Sequence, residues 1–191
     1  MSVTTTPDDW LMVAVQRGDL DKLSVLFERY HRPLFGFFVR MTGDRHVSED
    51  LVQDVFLRLL RFRHTYRPGS QFRTWLYEIA RNVVRDRRHP AGRETELDPS
   101  VDIPVDGDAP VRAIAAAQEQ QLLARALAVL PDDKREVIVL SRYQGMKYED
   151  VAAVLGCQVG AVKVRVHRAM KTLRATVEAL QEERGSWRAT K

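Results

Sequence analysis

A proline- and glycine-rich stretch divides the chain into two halves that cannot share one continuous helix or strand. Residues 90–110, PAGRETELDPSVDIPVDGDAP, include four prolines and two glycines. Proline lacks the backbone N–H that regular structure uses, and glycine weakens helices and strands. Six of these residues are acidic and one is basic. We predict a flexible acidic linker at 90–111, between a first domain at 1–89 and a second at 112–182, with a tail at 183–191.

Apolar residues recur at helical spacing in both halves, which predicts an all-α fold of two helical domains. The first half has a stripe at spacings of three and four, formed by Leu20, Leu23, Phe27, Tyr30, Leu34 and Phe38. Pro33 is expected to kink or break that run, and Ser48 is expected to cap the next helix. A last helix is predicted from about Phe72 to Arg88. In the second half we predict helices at 111–130, 131–145, 148–155 and 159–182.

Bulk composition excludes several classes of protein. The 191-residue chain has no apolar run of the roughly 18–20 residues that cross a bilayer, and its N-terminus does not resemble a secretory signal. Cys157 is the only cysteine, so no internal disulfide can form. These features predict a cytoplasmic protein. The five histidines are scattered without metal-ligand spacing, so we expect no metal and no cofactor.

The stretch 159–174, VGAVKVRVHRAMKTLR, contains five Lys or Arg and no acid. Its VKVRV core alternates like a strand, but Val162, Val166, Ala169 and Leu173 fall on one helical stripe. The opposite face then carries Lys163, Val164, His167, Arg168, Lys171 and Arg174, with Arg165 at its edge. A short helix, a glycine turn and a basic helix predict a DNA-binding helix-turn-helix, with Val164 free to contact a thymine methyl. A helical hairpin with a solvated basic face remains the alternative.

A second basic segment, 61–88, mixes eight arginines with aromatic residues. Arginines hold phosphates, and aromatic rings stack on unpaired bases, so the mixture favours single-stranded or melted DNA. Tyr66 and Phe72 beside the Pro-Gly loop favour that function, whereas a core role is as good an explanation for Trp75.

The helix before that segment has a different surface. Its sequence SEDLVQDVFLRLLR places Glu49, Asp50, Gln53 and Asp54 beside Phe56. Such a surface repels DNA and suits a protein partner, although acids at a helix start also complement the helix dipole.

Taken in order, these motifs resemble bacterial RNA polymerase sigma factors of the extracytoplasmic function (ECF) group of the sigma-70 family. The resemblance covers about residues 20–88 and 122–175. It rests on FERYHRPLFGFFVRMTGD, SEDLVQDVFLRLLR and FRTWLYEIARNVVRDRRH in the first half, and on LPDDKREVIVLSRYQGMKYEDVAAVLGCQVGAVKVRVHRAMKTLR in the second.

The resemblance implies two DNA-binding domains and a docking site on core polymerase. The first domain would be sigma-2-like and the second sigma-4-like. Docking on the polymerase β′ subunit would fall to Asp50, Gln53, Asp54 and Phe56. Opening and recognition of the promoter −10 element would fall to His64, Tyr66, Arg67, Phe72, Arg73, Trp75, Asn82 and Arg85. The −35 element would be recognised by Lys163, Val164, Arg165, His167, Arg168 and Lys171.

The resemblance also implies partners and leaves alternatives open. The partners would be core polymerase through β′ and β, promoter DNA and an anti-sigma factor, with no membrane insertion and no catalysis. The linker would thread near the active-site and RNA-exit channels of the polymerase. Three positions depart from the family: Lys147 replaces a usual Ser or Thr helix cap, Cys157 a usual aliphatic residue, and Val164 a small polar residue. A one-component helix-turn-helix regulator and a nuclease are the alternatives, although no acid, base and metal constellation supports the latter.

Overall fold

The computed structural model describes the backbone of residues 6–88 and 112–189, and the side chains of 6–87 and 119–182. The first half contains α1 (Asp8–Gln16), α2 (Asp21–Thr42), α3 (Arg45–Phe62), a 3₁₀ turn (Arg63–Thr65) and α4 (Phe72–Arg88). The second half contains α5 (Arg112–Ala128), α6 (Asp132–Ile138), a π-helical turn (Val139–Tyr143), α7 (Tyr148–Leu155) and α8 (Val159–Ala189). No strand occurs in the described ranges, and the all-α prediction is confirmed. The predicted linker at 90–111 lies wholly outside them.

The first half buries one apolar side of each of its helices. The fully buried side chains at its centre come from every helix of the half: Met12, Leu34, Phe37, Phe38, Val55, Leu59, Leu76 and Tyr77. Burying a side chain of this size contributes about 1.5–3 kcal/mol. The later part of the α2 stripe, Tyr30, Leu34 and Phe38, is therefore buried as its spacing predicts, whereas Leu20 and Phe27 are exposed.

The predicted cap at Ser48 is wrong, and Pro33, which was predicted to kink or break its helix, does not break it. Helix α2 runs from Asp21 to Thr42 with Pro33 inside it. The buried Leu34, Phe37 and Phe38 hold the following turns, and this packing outweighs one lost backbone hydrogen bond. Helix α3 is capped by Asp44, whose carboxylate accepts from the Val47 N–H at 3.0 Å. Ser48 lies one turn inside that helix, buried against Asp44 and Thr42.

The second half ends in the predicted helix-turn-helix. Gly156 links α7 to α8 with φ +64°, a left-handed conformation that glycine adopts at little cost. The predicted stripe is confirmed, because Val162, Val166, Ala169 and Leu173 are all buried. Helix α8 extends to Ala189, beyond the predicted end at 182.

The two halves pack against each other through buried polar groups. Tyr77 in α4 donates to Gln144 Oε1 at 2.5 Å, and Gln144 Nε2 donates to the Pro33 carbonyl at 3.3 Å. Arg81 pairs with Glu136 at 2.9 Å, with both side chains mostly buried. Arg135 is 2% exposed and donates to the carbonyls of Leu127 and Leu130 and, across the interface, to that of Met41 at 3.0 Å. These contacts fix how α4 faces the second half.

Candidate nucleic-acid interface

The outer side of α8 is an open cationic surface. All six predicted residues are exposed: Lys163, Val164, Arg165, His167, Arg168 and Lys171. None of their charged groups has an ion-pair partner among the described residues. Val164 is 49% exposed, as its position off the buried stripe predicts. We call these six residues the basic face; it can neutralise phosphates and offers one apolar contact.

The loop at 63–70 has a defined shape. Arg67 begins a turn in which its carbonyl accepts from the Ser70 N–H at 3.0 Å, with Pro68 and Gly69 at the centre. Gly69 has φ +84°, which gives the turn the proline-glycine signature of type II. His64 and Arg67 are exposed on this loop. We call residues 63–70 the loop.

The aromatic residues beside the loop form a packed cluster. Tyr66 is 2% and Phe72 3% exposed, and their ring centroids lie 5.1 and 6.2 Å from that of Trp75. In this conformation Tyr66 and Phe72 offer no open ring face to a base, which is the arrangement expected of a scaffold. Burial, with the hydrogen bond to Asp9 second, raises the pKa of the Tyr66 phenol. Trp75 is half-buried and faces a cleft.

The second half covers part of that cleft. The cleft has a volume of about 560 Å³. The residues that line it are Thr65, Arg67, Ser70, Gln71, Thr74, Trp75 and Glu78 from the first half and Asp150 and Ala153 from α7. Burial raises the pKa of the Glu78 carboxyl. Arg73, a predicted −10 residue, donates to the Gln144 carbonyl and is half-buried. Asn82 and Arg85 lie exposed further along α4.

The four residues predicted for docking on α3 differ in their exposure. Asp50 and Gln53 are exposed, but Phe56 is buried, with 7% of its surface exposed. Its ring packs on that of Phe27, with 4.9 Å between the ring centroids. Asp54 pairs with Arg58 at 3.1 Å. Leu57 is 65% exposed on the same side, at spacings of three, four and seven from the polar residues. Sequence reasoning missed Leu57 because an apolar residue in a helix is usually assigned to the core.

Helix α1 carries two further polar residues that the motif pattern did not single out. Asp9 and Gln16 make hydrogen bonds to the loop rather than to their own helix. Their only sequence signal is an acidic pair at the start of a short apolar run. Lys147 stands at the start of α7, which has no side-chain cap.

Among the described residues, no helix is long and apolar enough to cross a membrane. No group of three His, Cys, Asp or Glu side chains within the same ranges could hold a metal ion.

Family models match both halves of the chain. Residues 26–94 match Sigma-70 region 2, and residues 120–173 match Sigma-70, region 4. The interruption between the matches contains most of the predicted linker.

Curated relatives align over nearly the whole chain. The RNA polymerase sigma-H factor of Pseudomonas aeruginosa is 31% identical over 95% of this chain and 99% of its own length. CarQ of Myxococcus xanthus, an RNA polymerase sigma factor, is 35% identical over 87% of this chain and 95% of its own. The ECF RNA polymerase sigma-E factor of Escherichia coli K12 is 30% identical over 91% and 95%.

Two solved structures share the fold. CnrH, in complex with the cytosolic domain of CnrY, superposes with a TM-score of 0.69 at 28% identity, covering 90% of this chain and 97% of that one. RpoE of Bartonella quintana, in complex with the anti-sigma factor NepR, gives 0.68 at 26% identity, covering 82% and 96%.

Proposed function

The chain belongs to the sigma-70 family, in its ECF group, and on that premise we propose how its surfaces share the work of transcription initiation. A sigma factor binds core RNA polymerase and directs promoter recognition, promoter melting and initiation, and that is the function of this chain. The same membership decides against the one-component regulator. Each step of initiation is assigned to a separate surface of the chain.

The basic face of α8 is assigned to the −35 element. Its N-terminal part, around Lys163, Val164 and His167, suits the major groove, where the second helix of a helix-turn-helix contacts base edges. Arg168 and Lys171 lie one to two turns further along and suit backbone phosphates. The observation that carries the function is this exposed face, because its cations lack ion-pair partners among the described residues.

The loop and the first turns of α4 are assigned to the −10 element. His64 and Arg67 are accessible, whereas Arg73 is bound to the Gln144 carbonyl and Trp75 faces a cleft that Asp150 also lines. A carboxylate in that cleft disfavours a phosphate backbone. We therefore propose that docking on the polymerase draws the two halves apart and frees Arg73 and Trp75 for the melted strand.

The polymerase-binding surface is assigned to α3. Asp50, Gln53 and Asp54 surround the exposed Leu57, and we call these four residues the α3 patch. An apolar centre with a polar rim is the usual anatomy of a protein interface. Phe56 supports the patch from beneath through its contact with Phe27.

Further partners are proposed from the relatives. Because a similar chain has been solved with an anti-sigma factor, we propose an anti-sigma factor as a regulatory partner of this one. The acidic linker is assigned to the basic channels of the polymerase, where growing RNA would displace it. The chain supplies binding and specificity, acts in the cytoplasm, and leaves the chemistry to the polymerase.

Reconstitution with core polymerase tests the function. We expect a stable complex and initiation from a subset of promoters that core enzyme alone does not use. No complex, or no change in initiation after removal of any inhibitor, would contradict it.

The α3 assignment has its own variant. Asp54→Arg should weaken core binding by about tenfold or more, since it places a cation where the partner expects an acid. Glu28→Arg makes the same charge change at an exposed residue of α2, outside the α3 patch, and is the control, expected to bind core within about twofold of wild type. Equal losses in both variants would discard the α3 patch.

A further inference from the structure

Helix α1 holds the loop from a position outside the match to Sigma-70 region 2, which begins at residue 26. Leu11, Met12 and Val15 bury the apolar side of α1 in the core. Asp9 and Gln16 lie seven residues apart, two turns along one side of the helix. Both side chains point to the loop.

Gln16 binds the first part of the loop. Its Nε2 amide donates to the Arg63 carbonyl at 2.8 Å and to the Tyr66 carbonyl at 2.7 Å. A side-chain amide has two N–H groups, so both are used. The two carbonyls lie on either side of His64 and Thr65 in the chain. Gln16 therefore fixes the distance between the carbonyls and with it the conformation of these two residues.

Asp9 binds the second part. Its Oδ1 accepts from the Gly69 N–H at 3.2 Å and lies 2.7 Å from the Tyr66 hydroxyl. That hydroxyl is also 2.8 Å from the Ser70 carbonyl, which closes the turn around Arg67 and Pro68. Hydrogen bonds to a charged carboxylate are stronger than those between neutral groups.

The anchoring of α1 itself uses other residues. Arg29 in α2 donates to Asp8 and to the Thr6 carbonyl, and Tyr30 donates to Asp8 at 2.5 Å. The two acids at the start of α1 thus have separate partners: Asp8 attaches the helix to α2, and Asp9 attaches the loop to the helix. This division provides a matched control.

We propose that Asp9 and Gln16 are positioning residues for −10 recognition: they hold the loop in the shape that presents His64 and Arg67 to the melted promoter strand. The inference rests on the proposed assignment of the loop to the −10 element. Without the two residues, the exposed loop samples several shapes, and contacts to one base become contacts to several. Specificity falls more than affinity.

The test is transcription by the reconstituted holoenzyme from templates randomised at the −10 positions, with transcripts counted by sequencing. Gln16→Met keeps the length of the side chain and removes both donors. One mismatched base typically lowers binding by roughly five- to 150-fold. We expect Gln16→Met to reduce the preference for the favoured −10 sequence over single-base changes by about fivefold. Asp9→Ala removes the carboxylate contacts to Tyr66 and Gly69 and should likewise lower the −10 sequence preference.

Arg29→Met is the control, because it removes a contact of α1 that does not involve the loop, while Tyr30 and the buried Leu11, Met12 and Val15 keep α1 in place. It should lower the melting temperature but keep the −10 preference within about twofold of wild type. Core affinity and −35 duplex binding should stay unchanged in all three variants. If Gln16→Met and Asp9→Ala keep the wild-type preference, or if Arg29→Met loses it equally, the positioning role is wrong while the sigma function stands. If the wild-type holoenzyme selects no −10 sequence, both fail.

Discussion

The two DNA-binding regions of this chain are built in opposite ways. The basic face belongs to one helix, is exposed throughout and depends on nothing but the position of α8 on its own buried stripe. The −10 region combines a loop, two buried aromatic rings, an arginine bound to the second half and a cleft that α7 partly covers. The basic face is therefore ready to bind DNA, whereas the −10 region depends on tertiary contacts that can be altered.

The largest expected effect comes from breaking the contact between the halves. Glu136→Arg places a second cation beside Arg81, where an ion pair 2.9 Å long now lies. Like charges at a mostly buried contact are strongly unfavourable, so the halves should separate. Affinity of the free chain for a −10 single strand should then rise about tenfold, with −35 duplex binding unchanged, as measured by fluorescence anisotropy.

The double variant Arg81→Glu with Glu136→Arg is the matched control for that change. It restores opposite charges at the same two positions and should return −10 strand binding towards the wild-type value. A gain that persists in the double variant would mean that the contact does not restrict access to Arg73 and Trp75.

A smaller effect is expected from a substitution in the basic face. Arg168→Ala should reduce the slope of log affinity for −35 duplex DNA against log salt by about 1, since one phosphate contact is lost. Arg125→Ala removes an exposed cation from α5 and should leave the slope alone. An unchanged slope in Arg168→Ala would show that this residue touches no phosphate.

Val164 should affect base preference more than affinity. Val164→Ala removes two methyl groups from an exposed position on the basic face, and should reduce discrimination at one −35 base pair by about 1 kcal/mol, near fivefold. The check is binding to −35 duplexes changed one base pair at a time. Val129→Ala, at another exposed valine, is expected to change no preference. Uniform weakening across all duplexes would point to lost helix stability instead.

The smallest effect concerns the covered cleft and depends on pH. Burial raises the pKa of Glu78 in the folded chain, so its carboxyl favours folding when protonated and opposes it when ionised. Glu78→Gln should therefore increase stability at pH 7, by no more than about 0.5 kcal/mol, and make no difference below about pH 3, where the carboxyl is protonated in both the folded and the unfolded chain. Thermal melts across this range provide the measurement. A stabilisation independent of pH would assign the effect to another cause.

Features within one helix were predictable from the sequence, whereas contacts between distant parts of the chain were not. The α8 stripe depends only on periodicity within one helix, and all four of its residues are buried as predicted. Helix α2 continues through Pro33 because the packing of Phe37 and Phe38 outweighs local propensity, and Asp44 rather than Ser48 caps α3. The burial of Tyr66 and the contacts of Asp9 and Gln16 depend on residues about 50 to 60 positions away in the chain. Such contacts leave no periodic signal.

The most direct test compares the two regions in the free chain and in the holoenzyme. Binding of a labelled −10 single strand and of a labelled −35 duplex is measured before and after addition of core polymerase, with core alone as background. We predict that core increases −10 strand affinity at least about tenfold and changes −35 duplex affinity less than about threefold. A free chain that binds the −10 strand as tightly as the holoenzyme does would contradict the account.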